Sequence, residues 1–173
     1  MMESDPNDLK ISEGLRKSDV EVFQNLYRTH KTRLFGFLRH YLGDASAAED
    51  VAQEVFLYLW KKPNGFNPGR GTLRGYLFGI ARHRGVEWLR QHASRELPRG
   101  GEPVEDRVET GLILEQALGK MDPDLRGLLW LREVEGYSYL ELSHILDIPM
   151  GTVKSRLFVA REDLRCKWHG RRP

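Results

Sequence analysis

The residues best suited to chemistry cluster near the C-terminus, in IPMGTVKSRLFVAREDLR at positions 148–165. Lys154, Arg156, Arg161 and Arg165 are cations, Thr152 and Ser155 carry hydroxyls, and Gly151 adds no side chain. Small and polar residues of this kind can approach base edges while cations take phosphates. Bond-making chemistry has no comparable support. The sequence shows no Ser-His-Asp order and no HExxH pair, and GTVKS lacks the GK pair and upstream glycine of a P-loop. Cys166 and His169 form a CxxH pair, but structural zinc needs about four ligands and there is no second pair. The expectation is a chain without catalytic residues, metal or cofactor.

The elements that must hold these cations are helical. Val153, Leu157, Ala160 and Leu164 recur at spacings of four, three and four, which places them on one stripe. Lys154, Arg161 and Arg165 fall outside it, with Ser155 and Arg156 at its shoulder. A solvated amphipathic helix closing a small core would look the same, so the neighbouring sequence has to decide. Just upstream, SYLE (138–141) has capping-box form, Leu142, Ile145 and Leu146 make an apolar face, and DIP turns the chain. Short helix, turn and basic helix is helix-turn-helix order, with the start of the second helix (Met150, Thr152, Lys154, Ser155, Arg156) facing the groove. Before it, Asp122 is placed as N-cap, Pro123 at the first helical position and Gly136 as the stop. Ile113, Ala117, Leu118 and Met121 continue the helical period towards the N-terminus.

The N-terminal half is helical too. SDVE (18–21) reads as a capping box, followed by Phe23, Leu26, Tyr27, Leu34, Leu38 and Tyr41 at helical spacing. Gly43 and Asp44 end that helix and cap the next. There Ala48, Val51, Ala52, Val55, Phe56 and Leu59 point inward, with Glu49 and Asp50 expected in the first turn. KKPNGFNPGRGT (61–72) breaks the pattern with two prolines and three glycines, and a third helix is expected from about Leu73 to His92. Residues 94–110 are rich in Pro, Gly and charge. The predicted architecture is all-α: a domain over 1–93, a flexible linker over 94–110 and a helix-turn-helix domain over 111–173.

Composition bounds the partners. The chain has 173 residues, 40% hydrophobic and 30% charged, with no apolar run of membrane-spanning length and no signal-peptide character at its acidic start. Its lone Cys166 suits a reducing cytoplasm and reads as a buried small hydrophobe. Net charge is only +2, yet residues 69–99 carry seven arginines against two glutamates, 102–115 five acids against one arginine, and 150–173 seven cations against two acids. Two basic blocks divided by an acidic one suit two surfaces for a polyanion.

With those residues in view, LREVEGYSYLELSHILDIPMGTVKSRLFVAREDLR resembles the C-terminal DNA-binding region of bacterial RNA polymerase sigma factors of the extracytoplasmic-function group. LuxR-type regulators share its GYS…E…L…TVK texture, so a helix-turn-helix regulator that is no polymerase subunit is the rival reading. AEDVAQEVFLYLW (48–60) and, more loosely, YLFGIARHRGVEWLR (76–90) resemble the same group's other conserved region and favour the sigma reading.

The resemblance implies core polymerase as partner, through the clamp and flap regions, with Glu49, Asp50, Gln53 and Glu54 as the clamp-facing flank. It implies melted minus-ten DNA held by Asn64, Phe66, Asn67, Arg70, Arg74, Arg82, His83 and Arg84, with Phe66 the favoured stacking ring. It implies duplex minus-thirty-five DNA on Met150, Thr152, Lys154, Ser155, Arg156 and Arg161, and an anti-sigma factor that masks these surfaces. Three positions depart from the family pattern: Tyr76 replaces tryptophan, Glu87 aspartate, and His83 an asparagine implicated in minus-ten recognition. Gly75 and Gly79, four apart on one side, suggest a close backbone approach or simply weak helix propensity.

Overall fold

The computed structural model describes residues 6–92 and 109–168. Among them are eight α-helices and no strand: α1 (Pro6–Arg16), α2 (Val20–Leu42), α3 (Ala45–Lys61), α4 (Leu73–Gln91), α5 (Glu109–Gly119), α6 (Pro123–Leu129), α7 (Tyr139–Leu146) and α8 (Met150–Trp168). Two 3-10 turns, Pro63–Gly65 and Pro68–Arg70, occupy the break between α3 and α4, and a π-helical turn, Trp130–Val134, extends α6. The expected linker lies almost wholly outside the described residues.

Local signals account for most helix ends. Gly43 closes α2 at φ 73°, and the Asp44 carboxylate accepts the Ala47 amide to open α3. Asp122 accepts the Asp124 and Leu125 amides ahead of Pro123, and Ser138 with Glu141 forms the reciprocal capping box. Two details differ from expectation. The cap of α2 is Asp19, not Ser18, because the Asp19 carboxylate reaches both the Glu21 and Val22 amides. Since α3 starts at Ala45, Glu49 and Asp50 stand beyond its first turn, where the helix dipole has faded.

α1 escaped the sequence reading altogether. Its buried positions are Asp8, Ser12, Gly14 and Leu15, a set with almost no apolar signature. It lies against α2 and against both 3-10 turns.

The two helical units pack on each other and share one buried cluster, in which Leu128, Leu131 and Tyr137 join Phe37, Tyr41 and Phe78. Glycines permit this closeness. A Cβ at Gly127 of α6 would stand 2.6 Å from the Tyr41 ring, and one at Gly85 of α4 2.8 Å from the same ring. Tyr41 is thus held between two backbones from opposite units. On the far side of α4, positions for a Cβ at Gly75 and Gly79 lie 3.3 and 3.4 Å from Ile145 of α7. The close approach expected of that glycine pair is made by the first helix of the helix-turn-helix.

Candidate nucleic-acid interface

α8 displays its cations as the stripe predicts. Val153, Leu157 and Ala160 are buried, while Met150, Lys154, Ser155, Arg156 and Arg161 are exposed and Thr152 is partly so. The Ser155 hydroxyl donates to the Thr152 carbonyl, 3.0 Å away, which leaves its lone pairs outward. Arg161 is engaged: its guanidinium sits 2.8 Å from Glu133 on the π-helical turn, and that hydrogen bond raises its pKa. The start of α8 therefore presents Lys154 and Arg156 to solvent, with Arg161 held to one side. Cys166 is partly exposed, not buried, and Ile113 is 41% exposed despite its place in the α5 period.

On α3, Glu49, Asp50, Gln53 and Glu54 form one exposed polar flank, opposite the buried Val51, Val55 and Leu59. The helix is packed along α2 and α4, so the flank is presented on a rigid element.

The third surface is a cleft of about 580 Å³ bounded by the 61–72 loop, α4 and α7. Of the loop residues, Asn64 and Arg70 are exposed. Asn67 is exposed as well, but its side-chain oxygen accepts the Gly69 amide at 2.9 Å and so shapes the second 3-10 turn. Phe66 is 1% exposed and sits 5.6 Å from the Tyr76 ring, centre to centre. The expected stacking ring is instead an anchor that fastens the loop to the core, because the turn between two 3-10 segments points it inward. Along α4, His83 is exposed 3.4 Å from Glu87, and Arg84 pairs with Glu87 at 3.2 Å beside the Tyr58 ring.

The two remaining candidates, Arg74 and Arg82, are occupied by the other unit. Arg74 donates to the Glu135 carbonyl at 3.3 Å, lies 3.9 Å from its carboxylate and stacks 4.5 Å over Tyr137. Arg82 reaches Asp124 at 3.1 Å. Asp124 and Glu135 were not among the expected site residues, and no local pattern could have found them, since their partners lie more than 40 positions away. The Glu135 side chain is only 3% exposed and shares its charge between Arg74 and Arg33. No group of three potential metal ligands occurs among the described residues.

Comparison with known proteins assigns both halves of the chain to one family. Residues 26–96 match Sigma-70 region 2, and residues 111–164 match Sigma-70 region 4. The RNA polymerase sigma-H factor of Pseudomonas aeruginosa is 28% identical over 175 residues, with 90% of each chain covered. The ECF RNA polymerase sigma factor SigL of Mycobacterium tuberculosis is 28% identical over 162 residues, covering 88% of this chain and 92% of that one. Among solved structures, the sigma factor RpoE of Bartonella quintana, in complex with the anti-sigma factor NepR, superposes with a TM-score of 0.75 at 23% identity, covering 88% of this chain and 100% of that one. CnrH, in complex with the cytosolic domain of CnrY, gives 0.70 at 23% identity, covering 92% and 96%.

Proposed function

The chain belongs to the extracytoplasmic-function group of the sigma-70 family, and we propose that its three exposed surfaces divide a sigma factor's work among them. As an alternative sigma factor it binds bacterial core RNA polymerase and directs promoter-specific initiation. The acidic flank Glu49, Asp50, Gln53 and Glu54 meets a basic polymerase surface. The α4 cleft, lined by Arg70, His83 and Arg84 with Asn64 exposed on the loop beside it, takes the melted minus-ten strand. The start of α8, with Lys154 and Arg156, takes the minus-thirty-five duplex. Binding and positioning are the whole of its work, with no catalysis of its own, and it operates in the cytoplasm under an anti-sigma factor. No described helix is long and apolar enough to cross a membrane.

One observation carries this reading: both sigma regions are matched in one chain, the first bearing the exposed α3 flank and the α4 side of the cleft, the second bearing the helix-turn-helix. A helix-turn-helix regulator would need no counterpart to the first. The closed packing supports a second element of the proposal. Because Asp124 and Glu135 occupy Arg82 and Arg74, the free protein presents an incomplete minus-ten surface.

The test is reconstitution. Purified core polymerase incubated with this protein should bind it stoichiometrically and, on genomic DNA of its host, start transcripts at new discrete sites. Duplex binding without polymerase association would replace the sigma reading with the regulator reading.

A further inference from the structure

The loop that opens the minus-ten cleft is fastened at three points. Phe66 and Pro68 are buried in the core, and the amide of Leu73, the first residue of α4, donates to the Asp8 carboxylate at 2.8 Å in a buried hydrogen bond. Asp8 belongs to α1, which precedes the segment matched to Sigma-70 region 2. Thr72 accepts the Gly75 amide, so side chains satisfy two of the first three amides of α4, one of them from 65 residues away.

The three fastenings differ in kind. Apolar burial tolerates sliding, whereas a hydrogen bond fixes distance and direction. Asp8 is only 8% exposed, and α1 rests on both 3-10 turns, so the carboxylate cannot follow the loop if it drifts. Asn64 and Arg70, the exposed loop candidates, lie between α3 and this fixed point. Reading a base requires donors placed to within about 0.5 Å.

We propose that Asp8 is a positioning residue for minus-ten recognition: it pins the junction of loop and α4 to α1, and thereby sets where the strand-reading side chains stand. The inference rests on the assignment of this cleft to the minus-ten strand. Asp8 itself touches no DNA. Its effect is on discrimination, not on charge.

The experiment compares the full chain with Asp8→Ala, Asp8→Asn and Asp8→Glu, each assembled with core polymerase. The probe is a single strand bearing the minus-ten sequence of a promoter mapped for this protein, against a scrambled strand. Asp8→Ala should lower the preference for the true strand by about tenfold with core affinity unchanged. Asp8→Asn keeps an acceptor oxygen and should retain the wild-type preference. Asp8→Glu keeps the buried carboxylate but moves it by one methylene, and should fold while losing preference, which covers a failure of Asp8→Ala to fold. Amide hydrogen exchange on the free protein should show the Leu73 amide unprotected in Asp8→Ala and protected in Asp8→Asn. Preference maintained in Asp8→Ala and Asp8→Glu overturns the proposal, as does a parallel fall in core affinity, which marks a merely structural residue. If wild-type holoenzyme itself shows no strand preference, the cleft assignment has failed and the proposal falls with it, whereas Leu73 protection reports on the fastening alone.

Discussion

The Tyr41 hydroxyl donates a 2.7 Å hydrogen bond to the carboxylate of Asp124, joining α2 to α6 across 83 residues of sequence. Burial and then that carboxylate push the phenol well above its ordinary range, so Tyr41 stays a donor at any working pH. The same Asp124 oxygen lies 3.1 Å from Arg82. One acid therefore joins the two units and occupies a cation on α4.

Releasing that contact should expose the cations. In D124N/E135Q, Arg82 and Arg74 lose their opposing charges, and single-strand affinity of the free protein should rise several-fold. Asp124 is partly solvated, which limits its own share to about 1 kcal/mol or less. Fluorescence anisotropy with a labelled strand gives the answer, and unchanged affinity would show that the acids do not compete with DNA.

Gly127→Ala should destabilise the closed protein. An alanine in a helix normally gains up to about 1 kcal/mol over glycine. Here its Cβ would stand 2.6 Å from a Tyr41 ring that Gly85 prevents from retreating, and overpacking of this kind costs about 1–3 kcal/mol. The urea midpoint should fall; a higher midpoint would mean the units separate freely.

Replacing Lys154 and Arg156 with Ala should cripple promoter use while core binding survives. If each neutralises one phosphate, the slope of log affinity against log salt on minus-thirty-five duplex should shrink by about two. A salt slope equal to wild type would remove both residues from the interface.

D50A/Q53A should do the reverse, lowering core affinity by about tenfold with duplex binding intact. Both side chains are exposed on α3, so the melting temperature should hardly move. Native gel titration against core polymerase separates this from a folding defect.

Acid should loosen the fold at His30. Burial, then Arg74 and Arg33, lower its pKa below 6.5. The unfolded imidazole takes up a proton that the folded one resists, so stability is full above about pH 6.5 and declines as pH falls towards the lowered folded value. Urea midpoints at pH 7.5 and 5.5 should differ by less in His30→Gln than in wild type.

Much of this was legible in the chain itself. The Val153–Leu157–Ala160 stripe, the Ser138–Glu141 box, Asp122 before Pro123 and Gly43 before Asp44 are short-range patterns, and each needs only neighbours within one or two helical turns. Those patterns determined the helices that follow α1, the helix-turn-helix and the outward placement of Lys154, Arg156, Asp50 and Gln53. What α1 does, where Phe66 points and which acids hold Arg74 and Arg82 were decided only by tertiary structure. Asp8 meets Leu73 across 65 residues and Arg82 on α4 meets Asp124 on α6, and a contact between distant segments leaves no period in either of them. Helical periodicity reports which face is buried; only packing chooses the partner.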